Sequence, residues 1–517
     1  MVRTRGRRAA ARAAAAVVLV LLTACGSTVQ NRAGLRTAVG GDGLSAPDGT
    51  STGGGAADPG AVAADAGLGG GGVTGTGSAT SGGTKVTTRG GTSGTADTVA
   101  TTKGPLPKTG PGWDENYIYI GVTTQKDVQR TAQSLNLAGL DAGDQEGEAN
   151  AIADELNRRG GLFGRKIKIV FRDQNTVQTA QDPNTVGTAT CRYYTEDRPV
   201  VAVLNPVTLM DVTSFRGCFA KAKVPLFSAS VAAVDAKVGA DLAPYFYQAV
   251  APTWDALAPV LVRELQGQGW FNGWNARTGT AMPGQKAKVG VLVNDDEVGA
   301  RVAGIVTRAL ASVGNTDPVV FQYTGTDFSS AVLQFSGRGV THVIVTSADL
   351  LGFQLSASSQ SYRPRYGITS YNAPQTFLEN NGPKDQQPGS LGVGWSPSLD
   401  TSDANDPGDT SPAEPECLNI YKKAGQTFVG KRLAEGVAFA FCDGLRLIVQ
   451  GAQAGGGLSG AAIFQGIQQI APSFNTAFSF ANGLGPTRLF IPGAVRRLAW
   501  EPSCSCFKYA SAVNAKL

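Results

Sequence analysis

The sequence predicts an α/β protein built from two similar units, each a mostly parallel β-sheet flanked by helices. Three observations support this prediction: short apolar runs rich in β-branched and aromatic residues recur along the chain, segments with apolar residues at helical spacing separate them, and the alternation occurs in two consecutive blocks. Strand–helix–strand alternation is typical of parallel sheets that helices cover on both faces. In such sheets ligands bind in crevices at the carboxyl ends of the strands.

The two blocks extend over about residues 117–250 and 254–370. Between the first two apolar runs, residues 149–156 carry apolar side chains at helical spacing, and Gly160 ends the predicted helix. Two such units with a cleft between them form a two-lobed molecule. The runs that we interpret as buried strands are residues 117–122, 167–171, 200–204, 224–228, 289–293, 319–323, 342–346 and 366–369.

Residues 1–25 have the pattern of an export signal. Five arginines precede a short apolar stretch at residues 13–22. About ten apolar residues are too few to span a bilayer, which needs about 20, and they match the apolar region of a signal peptide. The sequence Leu22-Thr23-Ala24-Cys25 resembles the lipobox of bacterial lipoproteins, which implies lipid attachment at Cys25 and anchoring at the outer face of the cell membrane. An ordinary signal peptide with an incidental cysteine is the alternative.

Residues 26–112 have the composition of a flexible tether. They are rich in Gly, Ala, Thr, Ser and Asp and contain no Phe, Tyr, Trp or Ile. Such a segment buries too little apolar surface to offset the conformational entropy lost on folding. We therefore expect a disordered tether here, followed by a folded domain over residues 113–517.

The charge balance excludes broad electrostatic attraction to nucleic acid. The chain has 45 Lys and Arg against 40 Asp and Glu, and removal of the five arginines of the signal makes the exported chain neutral. A neutral protein lacks the positive field that attracts nucleic acid or anionic lipid. We expect no nucleic-acid partner.

The cysteines that follow Cys25 indicate structural disulfides, because their number is even and the chain is expected in an oxidising compartment. Many pairings are possible, and proximity in the sequence favours Cys191–Cys218, Cys417–Cys442 and Cys504–Cys506, although the last pair closes a very tight ring. A metal site is not favoured, because no C-x-x-C pair occurs and His342 is the only histidine.

The sequence gives no indication of catalysis. It contains no G-x-S-x-G turn, P-loop or H-E-x-x-H helix. His342 lies in an apolar predicted strand, where a core role is favoured over that of a catalytic base. Asp295-Asp296-Glu297 is typical of a solvated helix start rather than a cation site. We therefore predict no enzyme activity, catalytic residue, metal or cofactor.

Residues 143–173 carry a family resemblance. Asn157, the pair Gly160-Gly161 and the pair Gly164-Arg165 stand directly before the second predicted strand. This Asn-x-x-Gly-Gly-x-x-Gly-Arg pattern resembles the type I periplasmic binding proteins of ABC transporters, in particular the group that binds Leu, Ile and Val. Glycines in left-handed conformations end the helix and allow a tight return into the strand. The resemblance continues over residues 200–208, 224–230 and 288–299.

The resemblance implies a two-lobed type I periplasmic-binding-protein fold with a ligand cleft between the lobes. By family order, the first lobe takes about residues 114–250 and 371–487, and the second takes about 251–370 and 488–517. The pair Cys191–Cys218 falls where several family members have a disulfide beside the cleft.

The resemblance also implies a ligand site made of loops that follow the strands. Hydroxyls and free backbone N–H groups at helix starts suit a carboxylate or another anion. For each position taken alone, a turn or a helix cap is an equally good explanation. The implied ligand residues are Asn205, Thr208, Ser228 and Ser230 in the first lobe, and Asp296, Glu297, Ser347, Asp349, Tyr371 and Asn372 in the second.

Two departures from the family pattern affect the expected ligand. Amino-acid binders of this group usually carry an aromatic residue where this chain has Val298, and an acidic residue near Tyr371 and Asn372, where this chain has none. A buried ammonium group needs a partner of opposite charge. An ordinary amino acid is therefore disfavoured, and the ligand is expected to be another small polar or amide-like molecule.

Together these features predict an extracytoplasmic solute-binding lipoprotein that captures a small polar molecule, such as an amino acid, an amide or a related compound, for an ABC-type importer by lobe closure. Its expected partners are the ligand, a membrane permease and the membrane itself, which it contacts through the lipid anchor. The alternative is a ligand-sensing or cell-envelope interaction protein that keeps the binding fold without transport.

Overall fold

The computed structural model describes residues 106–133, 140–325, 327–408, 411, 413–486 and 488–517. The predicted signal peptide, Cys25 and nearly all of the predicted tether lie outside these ranges. Within them, no helix is long and apolar enough to cross a membrane.

The first sheet contains five parallel strands in the order β2-β1-β3-β4-β5. Ile118, Ile120 and Val122 of the first strand are completely buried, and the residues between them are at most half-exposed, as expected for a parallel strand covered on both faces. The strands are β1 (Tyr117–Thr124), β2 (Lys166–Asp173), β3 (Val203–Asn205), β4 (Leu226–Ser228) and β5 (Phe246–Gln248).

Helices that connect these strands flank the first sheet. They are α1 (Val128–Gln133), α2 (Gln145–Arg158), α3 (Thr176–Gln181), α4 (Pro183–Arg192), α5 (Thr213–Ala222) and α6 (Ala236–Leu242). The side chain of Asp144 caps α2 by accepting a hydrogen bond from the backbone N–H of Gly147.

The return from α2 to β2 explains the Asn-x-x-Gly-Gly pattern. Gly160 and Gly161 have φ values of 110° and 67°, which suit glycine. The side chain of Asn157 donates to the carbonyl of Ile167 at 2.9 Å and accepts from its N–H at 2.6 Å. The asparagine therefore fixes the start of β2 against the end of α2.

The second sheet contains eight strands in the order β14-β13-β12-β11-β10-β8-β9, with β15 paired to β13. Strands β8 to β12 are parallel, whereas β13 is antiparallel to its neighbours. A separate short hairpin precedes this sheet. The strands are β6 (Trp274–Asn275) and β7 (Thr280–Ala281) in the hairpin, and β8 (Val289–Asn294), β9 (Val319–Tyr323), β10 (His342–Val345), β11 (Arg365–Thr369), β12 (Leu391–Gly394), β13 (Ala494–Glu501), β14 (Cys506–Tyr509) and β15 (Ala515–Lys516).

The connections of the second sheet are also helical. They are α7 (Trp254–Gly267), α8 (Glu297–Ala311), α9 (Phe328–Gly337), α10 (Leu350–Ser359), α11 (Pro374–Glu379) and α12 (Pro397–Asp400). Helix α7 contacts both α8 and β12. The prediction of two mostly parallel sheets flanked by helices is confirmed.

The chain returns to the first lobe later than the expected residue 371. Strand β12 pairs with β11 and β13, so the chain stays in the second sheet through Gly394. The helices that pack on α2 come after this strand: α13 (Glu414–Lys423) and α14 (Arg432–Gly455), with α15 (Gly460–Ile470) against α14. The sequence did not indicate β12, because a four-residue strand with two glycines has little apolar pattern.

Three disulfides join the cysteines of the described residues, each between consecutive cysteines. Cys191–Cys218 links α4 to α5, and Cys417–Cys442 links α13 to α14. Cys504–Cys506 lies in the turn between β13 and β14.

Candidate functional site

A cavity of about 180 Å³ lies at the carboxyl ends of strands from both sheets. Gln125 directly follows β1, Val250 lies just beyond β5, and Ala348 lies just beyond β10. This is the position at which ligands of parallel sheets bind. The cavity is lined by Gln125, Val128, Leu140, Ala142, Gln145, Pro206, Val207, Thr208, Leu209, Ala229, Val231, Val250, Ala348, Ala373, Thr376, Phe377, Leu399, Leu433, Gly436, Val437, Ala440 and Phe478.

One face of α14 forms a wall of this cavity. Its lining residues recur at intervals of three or four positions and therefore share a face of the helix. Two of them have the smallest side chains, which leaves space between the helix and the strand ends. The four residues are Leu433, Gly436, Val437 and Ala440.

The predicted ligand residues Ser228 and Ser230 do not line the cavity. Both hydroxyls donate hydrogen bonds to Oδ2 of Asp211, at 2.5 Å from Ser230. Oδ1 of Asp211 accepts from Nε of Arg216 at 2.6 Å. All four side chains are buried, so Asp211 satisfies the serine hydroxyls without a ligand. The residue between the serines, Ala229, lines the cavity instead.

Of the two predicted residues that follow the core of β3, Thr208 lines the cavity and Asn205 does not. Oδ1 of Asn205 accepts hydrogen bonds from Oγ1 of Thr123 at 2.6 Å and from the N–H of Val207 at 3.2 Å. Asn205 therefore links β3 to β1 and shapes the loop from which Pro206 and Val207 reach the cavity.

The predicted residues Ser347 and Asp349 belong to a buried cluster within the second lobe. The hydroxyl of Ser347 donates to Oδ2 of Asp349 at 2.6 Å, and the hydroxyl of Tyr323 donates to the same oxygen. Burial raises the pKa of Asp349 well above its ordinary value. Here too the residue between them, Ala348, lines the cavity.

Tyr371 and Asn372 hold the segment between β11 and α11. The Tyr371 ring stacks on Trp254 with centroids 5.4 Å apart, and its hydroxyl donates to the carbonyl of Pro252 at 2.5 Å. Nδ2 of Asn372 donates to the carbonyls of Val345 and Ser347 at 3.0 and 2.7 Å. Neither residue lines the cavity, whereas the following Ala373 does.

Asp296 and Glu297 lie apart from this cavity. Asp296 caps α8 by accepting from the N–H of Gly299 at 2.6 Å, and it lines a separate polar pocket of about 50 Å³ together with Asp211 and Arg216. Burial raises the pKa of Asp296. The side chain of Glu297 is 94% exposed beside Arg301, so the structure does not bring it to either pocket.

Of the predicted ligand residues only Thr208 lines this cavity, whereas residues next to several of the others in the same loops line it. In two loops a pair of predicted polar residues flanks the alanine that lines the cavity, Ala229 in the first lobe and Ala348 in the second. Among the described residues that line the cavity, none is charged and most are aliphatic or aromatic. This lining offers a polar ligand few partners, since a buried polar molecule needs hydrogen bonds and the only polar side chains among these lining residues are those of Gln125, Gln145, Thr208 and Thr376.

Two of the lining residues, which were not among the predicted ligand residues, are the glutamines Gln125 and Gln145. Oε1 of Gln145 accepts from the backbone N–H of Gln125 at 2.9 Å. Nε2 of Gln125 is itself buried and has no hydrogen-bond partner. Gln125 follows β1 directly, so the rule that placed the other candidates at strand ends could also have identified it.

A buried carboxyl group lies on α2 near this cavity, one helical turn after the lining residue Gln145. Neither carboxyl oxygen of Glu148 has a hydrogen-bond partner, and the side chain is completely buried. Burial, with a smaller contribution from Asp144 and Asp141, raises the pKa of Glu148 to about 8. The group is therefore largely protonated at neutral pH.

The single histidine has a core position. His342 is completely buried in β10, its Nε2 lies 3.2 Å from the carbonyl of Asn272, and its ring packs edge-on against Trp270. Burial lowers the pKa of His342 to about 4, so the ring is neutral at neutral pH.

Comparison with solved structures shows the same fold in solute-binding proteins. A substrate-binding protein of an ABC transporter from Desulfitobacterium hafniense, in complex with Leu, is 15% identical with a TM-score of 0.51, covering 76% of this chain and all (100%) of that one. A solute-binding protein from R. palustris in complex with 4-hydroxybenzoate is 15% identical with a TM-score of 0.53, covering 78% and 97%. A fatty acid ABC transporter substrate-binding protein from Thermomonospora curvata is 14% identical with a TM-score of 0.53, covering 79% and 94%.

No curated protein matches the chain at a significant level. Residues 143–486 match the family model described as periplasmic binding protein. This match covers more than half of the chain and includes most strands of both sheets. The chain therefore belongs to the periplasmic binding protein family and has the two-lobed type I fold.

Proposed function

We propose that this protein is the solute receptor of an ABC-type importer and that it encloses a small molecule by closing its two lobes. The observation that carries this proposal is the cavity lined by strand-end loops of both sheets. A ligand that contacts both lobes binds the closed form more tightly than the open form and therefore shifts the population towards closure. The family as a whole consists of solute-binding proteins.

The segment that leads from the first lobe to the second packs through Trp254 against strand-end loops of the second lobe. The indole N–H of Trp254 donates to the carbonyl of Thr346 at 3.1 Å, and Trp254 stacks on Tyr371. Such buried, well-packed contacts between a crossing segment and one lobe are suited to a hinge, because they hold the segment in place while the lobes rotate.

Ligand capture is tested by thermal unfolding and titration calorimetry of the exported chain against a broad library of amino acids, amides, aromatic compounds and short aliphatic compounds. A ligand at 100 times its Kd stabilises the native state by about 2.7 kcal/mol. We expect at least one compound to raise the Tm with one-to-one binding. Failure of the whole library, together with recovery of an envelope protein rather than a permease after cross-linking, would support the sensing or interaction alternative.

The proposal includes export and lipid anchoring at Cys25. The lipobox-like sequence, the neutral exported chain and the glycine-rich segment before residue 113 support it. Replacement of Cys25→Ala is expected to abolish incorporation of radiolabelled palmitate and to prevent release of the signal peptide. A variant that still incorporates the label contradicts lipid attachment at this position.

A further inference from the structure

The lining of the cavity restricts the charge of the ligand. Among the described residues, the lining includes no Asp, Glu, Lys, Arg or His. In a strand-end loop, Asp211 pairs with Arg216 and accepts hydrogen bonds from the hydroxyls of Ser228 and Ser230, and the ion pair lines the separate polar pocket. An ion transferred into the apolar cavity would lose its hydration without gaining a partner.

The volume of the cavity restricts the size of the ligand. Its 180 Å³ is similar to the roughly 150 Å³ of an apolar protein cavity that accommodates benzene. Aromatic side chains reach it from both lobes: Phe377 lies on α11 of the second lobe, and Phe478 follows α15 of the first. A ring placed between them gains contact with aromatic surfaces on both sides of the cleft.

One lining residue has a side-chain donor without a hydrogen-bond partner. The Gln145 amide is engaged with the backbone of Gln125 on both sides, at 2.9 and 3.4 Å. In contrast, the buried Nε2 of Gln125 has no acceptor. Because Nε2 is enclosed, an oxygen acceptor on a ligand meets it only after the Gln125 side chain rotates towards the cavity, and the new bond would then remove the cost of about 1–3 kcal/mol of an unpaired buried donor.

We propose, on the basis of the receptor function proposed above, that the ligand is an uncharged, largely apolar molecule of about one ring, with an oxygen acceptor that binds the Gln125 side-chain amide. This class differs from the zwitterionic amino acids that the family resemblance suggested. It follows from the uncharged lining, the cavity volume and the unpartnered amide donor.

Matched pairs of small molecules test the charge requirement in titration calorimetry with the exported chain. Benzamide and benzyl alcohol carry an oxygen acceptor without charge, whereas benzoate, benzylamine and leucine have similar size and carry charge. We expect the neutral compounds to bind at least about tenfold more tightly than the charged ones.

Tighter binding of leucine, benzoate or benzylamine overturns the proposal but leaves the receptor function intact. If these probes all fail and some other library compound binds, the ligand class is wrong and the receptor function stands; if the whole library fails, both proposals fail.

Replacement of Gln125 tests the hydrogen bond. Gln125→Leu keeps the approximate volume and removes the donor, so benzamide affinity is expected to fall about tenfold while toluene affinity is unchanged. Gln178→Leu, at an exposed position of α3, is the matched control and leaves both affinities unchanged. Equal benzamide affinity in the Gln125→Leu variant and the unmodified chain excludes this anchor.

Filling the cavity tests its location. Val437→Phe and Ala440→Phe both add volume on the lining face of α14, and each is expected to abolish benzamide binding. Far-UV circular dichroism and the unfolding transition show whether each variant folds, and Val437, which is only partly buried, is the milder change. A folded variant that binds benzamide with unchanged affinity places the site elsewhere.

Discussion

The indole N–H of Trp395 donates a hydrogen bond of 2.8 Å to the backbone carbonyl of Val250. Val250 lies just after the last strand of the first sheet, whereas Trp395 directly follows β12 in the second sheet. The bond therefore joins two segments at which the chain passes between the lobes. Trp395 is completely buried and packs edge-on against Tyr371 at a centroid distance of 5.3 Å.

Replacement of Trp395→Phe is expected to weaken both stability and ligand binding. The change keeps an aromatic ring but leaves the buried Val250 carbonyl without its donor, which costs about 1–3 kcal/mol. The looser crossover also reduces the population of the closed form. Urea unfolding and calorimetry measure the two effects. Trp500→Phe, at a partly exposed position of β13, is the control, and equal stability of the two variants contradicts a special role for Trp395.

Substitutions at two neighbouring positions of one loop distinguish a residue that stabilises the fold from one that lines the cavity. Ser230→Ala removes a hydrogen bond to Asp211 and is expected to lower stability by about 1 kcal/mol with little change in ligand affinity. Ala229→Leu projects into the cavity and is expected to lower affinity strongly. Calorimetry with the same ligand compares the two variants. A larger loss of affinity for Ser230→Ala than for Ala229→Leu restores the serine as a ligand contact.

The buried carboxyl of Glu148 makes stability depend on pH. Its pKa is raised from 4.5 to about 8, so the native state binds this proton more tightly than the unfolded state does. The resulting stabilisation is complete below about pH 4.5 and is lost as the pH rises through 8. Glu148→Gln keeps the shape without the ionisation.

We therefore expect Glu148→Gln to be more stable than the unmodified chain at pH 9 by on the order of 1–3 kcal/mol, with a smaller difference at pH 5. Denaturant unfolding at both pH values measures this. Glu155→Gln is the control on the same helix, because that carboxylate pairs with Arg158 and Arg159 at the surface. A pH profile of stability that is the same with and without Glu148 rules out its ionisation as the cause.

The disulfides are expected to differ in their contribution to stability. Replacement of Cys191 and Cys218 by serine opens a loop with a sequence separation of 27, and the free energy of unfolding should fall by about 2–4 kcal/mol. The same change at Cys504 and Cys506, with a separation of 2, should cost much less because a very short loop loses little entropy on closure. Equal losses in thermal unfolding would contradict loop entropy as the main contribution of these disulfides.

The fold could be predicted from the sequence because the features that indicate it lie within short segments of the chain. The runs that became β1 to β4 and β8 to β11 are short segments rich in apolar residues, and the Asn157 and Gly160 positions mark a specific return between helix and strand. Strand β12 escaped prediction because two of its four residues are glycine. The position at which the chain returns to the first lobe was misplaced for that reason.

The lining of the cavity could not be predicted from the sequence, because it depends on pairings between distant residues. Whether Ser228 and Ser230 contact a ligand depends on Asp211, which lies 17 residues before the first serine. The Asp211 carboxylate accepts hydrogen bonds from both serine hydroxyls, and Ala229 between the serines then lies at the cavity surface. Position after a strand therefore indicates a loop at the site but does not identify the contacting side chain.

The small residues of α14 affect how ligand preference can differ among related proteins. At Gly436 an added Cβ would lie 2.8 Å from Oγ of Ser398, so that position resists enlargement. Ala440, one turn further on, borders the cavity. Exchanges among alanine, valine and leucine there change the space for a ligand by one to three carbon atoms, while the loops and the crossovers stay as they are. A single helix position can thus change which molecule is selected and leave the closing movement intact.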